Sequence, residues 1–310
     1  MVLHCRPQAK MVTHRLDHPD VILNIPMRKD LLGAWAQNVI QAQALAWKLG
    51  AKLFIPEDLS DISDFTNQGM FKDKSEGERY STVSVDLSSD RAMRDRHEFL
   101  VWSGINELIV QALPKNAVTL NFEDVHHQDS YKWNKDKAII IENANTYSIP
   151  VRDLFNRDVL DKFSNLMLQA SHGNRISKPL DEKSPLVAIH YRGGEICDMK
   201  ERHIPSREYA RLLIDIKNKY PTARIKVFTS KLCKNDDMKT FEGMIETKKL
   251  SCIDTWKIFL ESDVFVMARS SFSYAPALLK RKGLILYRSF WHEPLTHWHE
   301  WSIEGCKSIV

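Results

Sequence analysis

Short apolar runs alternate with longer amphipathic stretches along most of the chain, and that pattern predicts strands alternating with helices. Val21 to Ile25 is a run of mostly branched residues closed by Pro26 and reads as a strand. From Ala34 to Leu49, Ala36, Val39, Ile40, Gln43, Ala44 and Trp47 recur at steps of three and four, the period of a helix. Gly50 stands where helices commonly end. Ala51 to Ile55 reads as the next strand and completes a strand–helix–strand unit of the parallel-sheet type. Residues 58 to 90 are polar and without period, which predicts a long loop, a lid or an acceptor-facing insertion. Beyond it a helix is expected over Asp90 to Leu113, strands at Val118 to Leu120 and Ala138 to Ile141, and a helix over Pro150 to Ser171.

The polar stretch His172 to Ser184 is the expected linker, dividing the chain into domains 1–178 and 179–310. Past it the alternation is clearer. Leu186 to Ile189 is a buried strand, and Ser206 to Lys219 is a helix stopped by Tyr220-Pro221. Ile225 to Phe228 and Val264 to Met267 are strands, with a short helix over Thr240 to Thr247 and a longer one over Ile253 to Leu260 between them. A helix from Tyr274 to Lys280 and a last strand, Leu284 to Tyr287, follow. The predicted class is α/β, with two Rossmann-like domains and a cleft between them. The aromatic tail that starts at Trp291 is expected to pack back on the first domain through its last residues, 296–310.

Composition changes this picture little. The chain has 310 residues, enough for two domains, and its 43% hydrophobic and 27% charged shares are those of an ordinary globular protein. A net charge of +4, without a Lys/Arg run, gives no reason to expect nucleic acid and suits a binder of anionic small molecules. Five scattered cysteines without a CxxC pair fit a reducing compartment, and an oxidised Cys233–Cys252 pair is the alternative. Met1 to Lys10 lack the apolar core of a signal peptide, and no apolar run approaches the length of a membrane span. A soluble, cytoplasmic chain is therefore expected, or a domain excised from a longer or anchored protein.

The candidate chemistry lies where strands end, because ligands of open α/β sheets bind outside the carboxyl ends of the strands. After Leu186–Ile189 come His190, Tyr191, Arg192, Gly193, Gly194 and Glu195. Arg192 offers a planar fork of donors that matches a phosphate. After Val264–Met267 come Ser270, Ser271, Phe272 and Ser273 at the start of a helix, a place where unpaired N–H groups and the helix dipole favour an anion. Each has a plainer reading: a core histidine, a structural ion pair, an ordinary turn, a serine cap. The dinucleotide fingerprint, the P-loop, the Gly-x-Ser-x-Gly elbow and an Asp-x-Asp metal motif are all missing. His126-His127 and the tail histidines have no ligand spacing that suits a metal. No cofactor is expected, and a diphosphate would be neutralised by Arg192 and the helix start without an obligatory cation.

On these residues the chain resembles the α1,2-, α1,6- and protein-O-fucosyltransferases, which share a GT-B-type donor domain. His190 and Arg192 match their His-x-Arg strand end, with Glu195 at the carboxylate position. Asp263 to Ser273 is similar to their late strand–Ser-Ser-Phe-Ser–helix motif, and Gly33 with the Ala-rich helix ending Lys48-Leu49-Gly50 to their N-terminal one. Ala34-Trp35 stand where the family has Asn-Arg or Asn-Gln. The resemblance implies an inverting, metal-independent glycosyltransferase with GDP-fucose as donor and a glycan hydroxyl as acceptor. Arg192 would hold the β-phosphate, His190 would meet the nucleoside side, and Gly193 would let the backbone come close. Ser270, Ser271, Phe272 and Ser273 would bind the diphosphate, and Asp254 would read the guanine edge. Glu195 would be the general base or an acceptor contact, or else pair with a nearby cation. The alternatives are a UDP-sugar donor such as UDP-xylose, or a non-catalytic glycan-binding homologue.

Overall fold

A computed structural model describes residues 21–25, 32–56, 90–121, 137–142, 149–170, 184–193, 202–229, 238–246 and 250–306. Most of the predicted 58–90 loop, His126-His127, the polar segment after residue 142, the linker, Gly194 and Glu195 lie outside these residues.

The chain is an α/β protein built on two parallel, Rossmann-like sheets. In the first, β1 (Val21–Asn24), β2 (Lys52–Phe54), β3 (Val118–Asn121) and β4 (Ile139–Glu142) run in the order β2-β1-β4-β3. Leu23 of β1 pairs with Leu53 on one side and Ile141 on the other. In the second, β5 (Leu186–His190), β6 (Arg224–Phe228), β7 (Val264–Val266), β8 (Leu284–Tyr287) and β9 (His299–Glu300) run in the order β6-β5-β7-β8-β9. The inner strands are uniformly apolar because both of their faces are covered: Val187, Ala188, Ile189, Phe265 and Val266 have no exposed surface.

Seven α-helices cover the sheets among the described residues: α1 (Leu32–Leu49), α2 (Asp90–Ser103), α3 (Val151–Leu154), α4 (Arg157–Ala170), α5 (Tyr209–Lys219), α6 (Cys252–Glu261) and α7 (Ser271–Leu279). Helix α1 departs from the expected one-sided stripe. Its polar Gln37, Asn38, Gln41 and Gln43 are as buried as its apolar residues, because neighbours cover it on every side. Trp35 on α1 meets Phe99 on α2 edge-on at 5.8 Å, and Phe99 meets Trp256 on α6 in the same way at 5.7 Å. One apolar core therefore runs through both halves. A second, smaller core lies under the other face of the second sheet, around Tyr209, Phe241 and Trp301.

Three predicted elements end differently. The Asp90–Leu113 helix stops at Ser103, because Gly104 adopts φ 73°, and a 3-10 turn over Ile105–Leu108 follows. A side chain at Gly104 would also meet the Leu166 carbonyl oxygen of α4 at 2.8 Å. The Pro150–Ser171 helix is broken in two, since the Asn156 side chain caps α4 by accepting the Val159 N–H at 2.9 Å. The Thr240–Thr247 segment is a 3-10 turn, Met238–Phe241, followed by a bridge from Ile245 to Val227. The tail, expected on the first domain, meets both halves: His292 lies against Gln37 of α1, while the residues after it extend the second sheet, where β9 pairs with β8 and Trp301 packs on Tyr209 at 4.8 Å. The Cys252 thiol donates to the Asp95 carboxylate at 3.7 Å, and Cys233, its suggested disulfide partner, lies outside the described residues. Among the described residues no helix is long and apolar enough to cross a membrane.

Lys280, just past α7, is 2% exposed and donates to the carbonyls of Leu260 at 2.8 Å and Ser262 at 2.5 Å, closing the carboxyl end of α6. Burial lowers its pKa to about 7, against the pull of Asp263 and Glu261. The unfolded chain holds this proton up to about pH 10, so between about 7 and 10 it binds more protons than the folded one. Stability should therefore rise with pH in that window, by at most about 1.4 kcal/mol per unit from this group. Thermal unfolding midpoints recorded across the window should show the rise, and Lys280→Met should flatten it; equal slopes for the two proteins would remove Lys280 as the cause.

Candidate functional site

Numbered from β5, the second sheet has the order 2-1-3-4-5, one of the two doubly wound orders whose ligands sit at the point where the chain switches direction. That point lies between β5 and β7. His190 ends β5 and Arg192 follows it, while α7 starts a few residues beyond β7. The two stretches singled out in the sequence thus flank the same crevice, and they touch: Arg192 Nη1 donates to Ser270 Oγ at 2.5 Å.

The first turn of α7 assigns its serines different tasks. Ser270 is the N-cap, and its hydroxyl accepts the Phe272 N–H at 3.2 Å as well as the Arg192 donor. Ser273 has no exposed surface, and its one hydroxyl proton is shared between the carbonyls of Ala268 at 3.0 Å and Ser270 at 3.1 Å. The phase of the helix thus turns the Ser273 side chain into the core, where it braces the turn, and Ser270 likewise has no exposed surface, so a ligand at this turn would meet Ser273 only through its backbone. Ser271 stays partly exposed, with its hydroxyl 3.2 Å from His292 Nε2. Phe272 is a wall of the site, its ring 5.3 Å from His190 and 5.4 Å from Trp256.

His190 is 8% exposed, and burial, then the Arg192 charge, pushes its pKa down to about 3. It is neutral at physiological pH and does not compete with Arg192 for an anion. Its Nδ1 has no hydrogen-bond partner among the described residues. Gly193 is buried beside it. Asp254 stands in the first turn of α6, with its carboxylate held 3.0 Å from Lys257 Nζ. The hydrogen bond from Lys257 lowers its pKa against a smaller effect of burial, so it is a carboxylate in use by a neighbour and not part of the Arg192–Ser270 contact.

Two further arginines occupy the same sheet edge. Arg269 follows β7 and Arg288 follows β8, so adjacent strands β5, β7 and β8 each deliver a guanidinium. Arg288 donates to the Glu208 carboxylate and lies 5.1 Å over the Trp301 ring. Burial, then Arg288, lowers the pKa of Arg269, while Glu208 and Tyr209 oppose that shift. The strand-end rule that found Arg192 applies equally to Arg269 and Arg288 and would have found them.

The first half reaches the site through α1. A Cβ at Gly33 would stand 2.5 Å from the Phe272 nitrogen and 2.6 Å from its Cα, so the first turn of α1 lies directly on the first turn of α7. In a parallel strand–helix unit the helix starts near the carboxyl end of its strand. The Gly33–Phe272 contact therefore brings the carboxyl edges of the two sheets to one place. Gln37, one turn further along α1, has its side-chain amide 3.2 Å from His292 Nδ1. Neither Gln37 nor His292 announces this role in the sequence, since 255 positions separate them.

Among the described residues no group of three or more His, Cys, Asp or Glu side chains could hold a metal ion. No protein-family model and no curated protein matches the chain. Several solved structures match it, among them two that align over most of the chain. Escherichia coli heptosyltransferase WaaC with ADP aligns at TM-score 0.36 and 11% identity, over 93% of this chain and 91% of that one. The same enzyme with ADP-2-deoxy-2-fluoro heptose aligns at TM-score 0.35 and 10% identity, over 90% and 92%. At such scores the overlay carries no weight beside the strand order and the side chains described above.

Proposed function

We propose that the protein is a glycosyltransferase of GT-B type that transfers a sugar, fucose from GDP-fucose, to a glycan hydroxyl with inversion and without a metal. The observation that carries this reading is the Arg192 guanidinium seated on the Ser270 cap of α7 at the switch point between β5 and β7. A fixed cation and a helix start together suit the two phosphates of a nucleotide sugar. Their charge grows as the glycosidic bond breaks, so donors held in advance stabilise the transition state more than the ground state. Neutral His190, whose Nδ1 has no hydrogen-bond partner among the described residues, is the contact for the nucleoside side. Asp254, at the start of α6, is the candidate reader of a guanine edge once Lys257 lets it go. Glu195 remains a candidate for the acceptor side.

Calorimetry with GDP, UDP and ADP, each with and without EDTA, tests the reading. GDP should bind at least ~10-fold more tightly than the other two, a difference of about 1.4 kcal/mol, and EDTA should leave its affinity unchanged. Preference for UDP would move the donor to a UDP-sugar, and binding of none of the three would remove the enzyme assignment.

A further inference from the structure

Around His292 the hydrogen bonds leave room for only one tautomer. The Trp291 indole N–H can only donate, and it points at His292 Nε2 from 3.1 Å. Nε2 therefore carries a lone pair, and the proton of the neutral ring sits on Nδ1. Nδ1–H needs an acceptor, and the Gln37 side-chain amide is 3.2 Å away. Amide oxygen and nitrogen are told apart by their hydrogen bonds, and turning the Gln37 oxygen toward Nδ1 gives that buried oxygen the partner it otherwise lacks among the described residues. With Nε2 as acceptor, the Ser271 hydroxyl 3.2 Å away donates to it and, being only partly buried, keeps its own lone pairs free to accept a proton.

The result is an ordered row running Ser271, His292, Gln37: a hydroxyl at the first position of α7, a base and a group that orients the base. This is the arrangement that draws a proton from a hydroxyl. We propose that the row is a proton relay for the hydroxyl that attacks the donor sugar, and this rests on the glycosyltransferase reading above. The attacking oxygen forms its bond to the anomeric carbon while the bond from that carbon to the phosphate oxygen breaks. The electron pair of the broken bond leaves with the diphosphate, toward Arg192. The proton of the attacking hydroxyl passes to Ser271 Oγ as the Ser271 proton passes to His292 Nε2. The imidazolium keeps its Nδ1–H on Gln37 and later releases the Nε2 proton to water. His292 acts through Ser271 and is a positioning residue; Gln37, buried in the first half, fixes the ring from across the crevice.

Trp291 sets the basicity of the ring. Its N–H shares the Nε2 lone pair and so opposes protonation there. It is 53% exposed, with Arg202 lying 4.9 Å over its ring. Among the described residues, the titratable groups beside His292 include the Tyr274 phenol on α7, which donates to the Glu293 carbonyl, and the Glu293 carboxylate on the same loop. From α1 it meets the uncharged Gln37.

The test uses water as the acceptor, following GDP release from GDP-fucose between about pH 5 and 9, where histidine titrates. The wild-type rate should rise through one ionisation and level off. His292→Gln should lose ~10²-fold and the rise with it, while keeping its affinity for GDP. Added imidazole should restore part of the rate to His292→Ala. Trp291→Phe should move the rise to higher pH, because the ring becomes more basic. A His292→Gln protein with the wild-type rate and profile would overturn the relay. Ring-nitrogen chemical shifts of His292 supply a readout that needs no turnover: the proton is expected on Nδ1, and finding it on Nε2 would overturn the relay whatever the rates. If the wild type neither binds GDP nor releases it from GDP-fucose, the glycosyltransferase reading fails, and the ring shifts still decide whether the row exists.

Discussion

Arg192→Ala should lower the rate of sugar transfer by at least ~10²–10³-fold, a loss of about 3–4 kcal/mol in transition-state stabilisation. Arg192 is held in place by Ser270, so it meets a departing diphosphate without rearranging. Ser270 keeps the Phe272 N–H when the arginine is gone, so α7 stays capped and the fold should survive. The same variant carries an internal control. The Arg192 charge contributes to the low pKa of His190 and burial contributes more, so the histidine should become somewhat more basic and still remain neutral at pH 7. Steady-state kinetics with GDP-fucose, alongside a thermal unfolding curve, give both readings. Full activity in a folded Arg192→Ala protein would show that the guanidinium does not bear on the leaving group. Arg192→Lys should recover only a part, since a single ammonium replaces a two-pronged donor.

Gly33→Ala should be nearly as damaging for a different reason. The new methyl group would lie 2.5 Å and 2.6 Å from backbone atoms of Phe272 and 2.9 Å from the Ser271 carbonyl carbon. Backbone in the first turn of a helix cannot swing aside as a flexible side chain would, so α1 and α7 must separate. Overpacking of that kind costs about 1–3 kcal/mol or more. The separation would move Ser271 and the N–H groups at the start of α7, and displacements of about 1 Å at a reacting centre cost ~10²-fold in rate. Unfolding midpoint and turnover should therefore fall together. An alanine variant with unchanged midpoint and rate would mean that the two helix starts are not pressed together.

The elements that sequence pattern reveals here are those whose environment is uniform. The apolar runs at Val21–Asn24, Leu186–His190, Val264–Val266 and Leu284–Tyr287 are buried on both faces, and a run is all that such a strand needs. The meeting of Arg192 with the α7 serines was legible too, because parallel sheets gather their strand ends. What stayed hidden depends on partners far along the chain. Buried Gln37 reads as a solvent-facing residue until His292 is known to lie opposite. Ser271 and Ser273 look alike, and only the rotation of α7 sends one outward and the other into the core. The break at Gly104 follows from a backbone conformation, and α4 packs against the same glycine.

The shared core has a bearing on how the molecule can be taken apart. With Trp35, Phe99 and Trp256 in edge contact and α1 lying on α7, neither half has a complete apolar interior of its own. A fragment ending near residue 178 would present bare aromatic surface to water, and so would its complement. Grafting the acceptor half of one protein onto the donor half of another would therefore require the whole α1–α7 seam to travel with the graft.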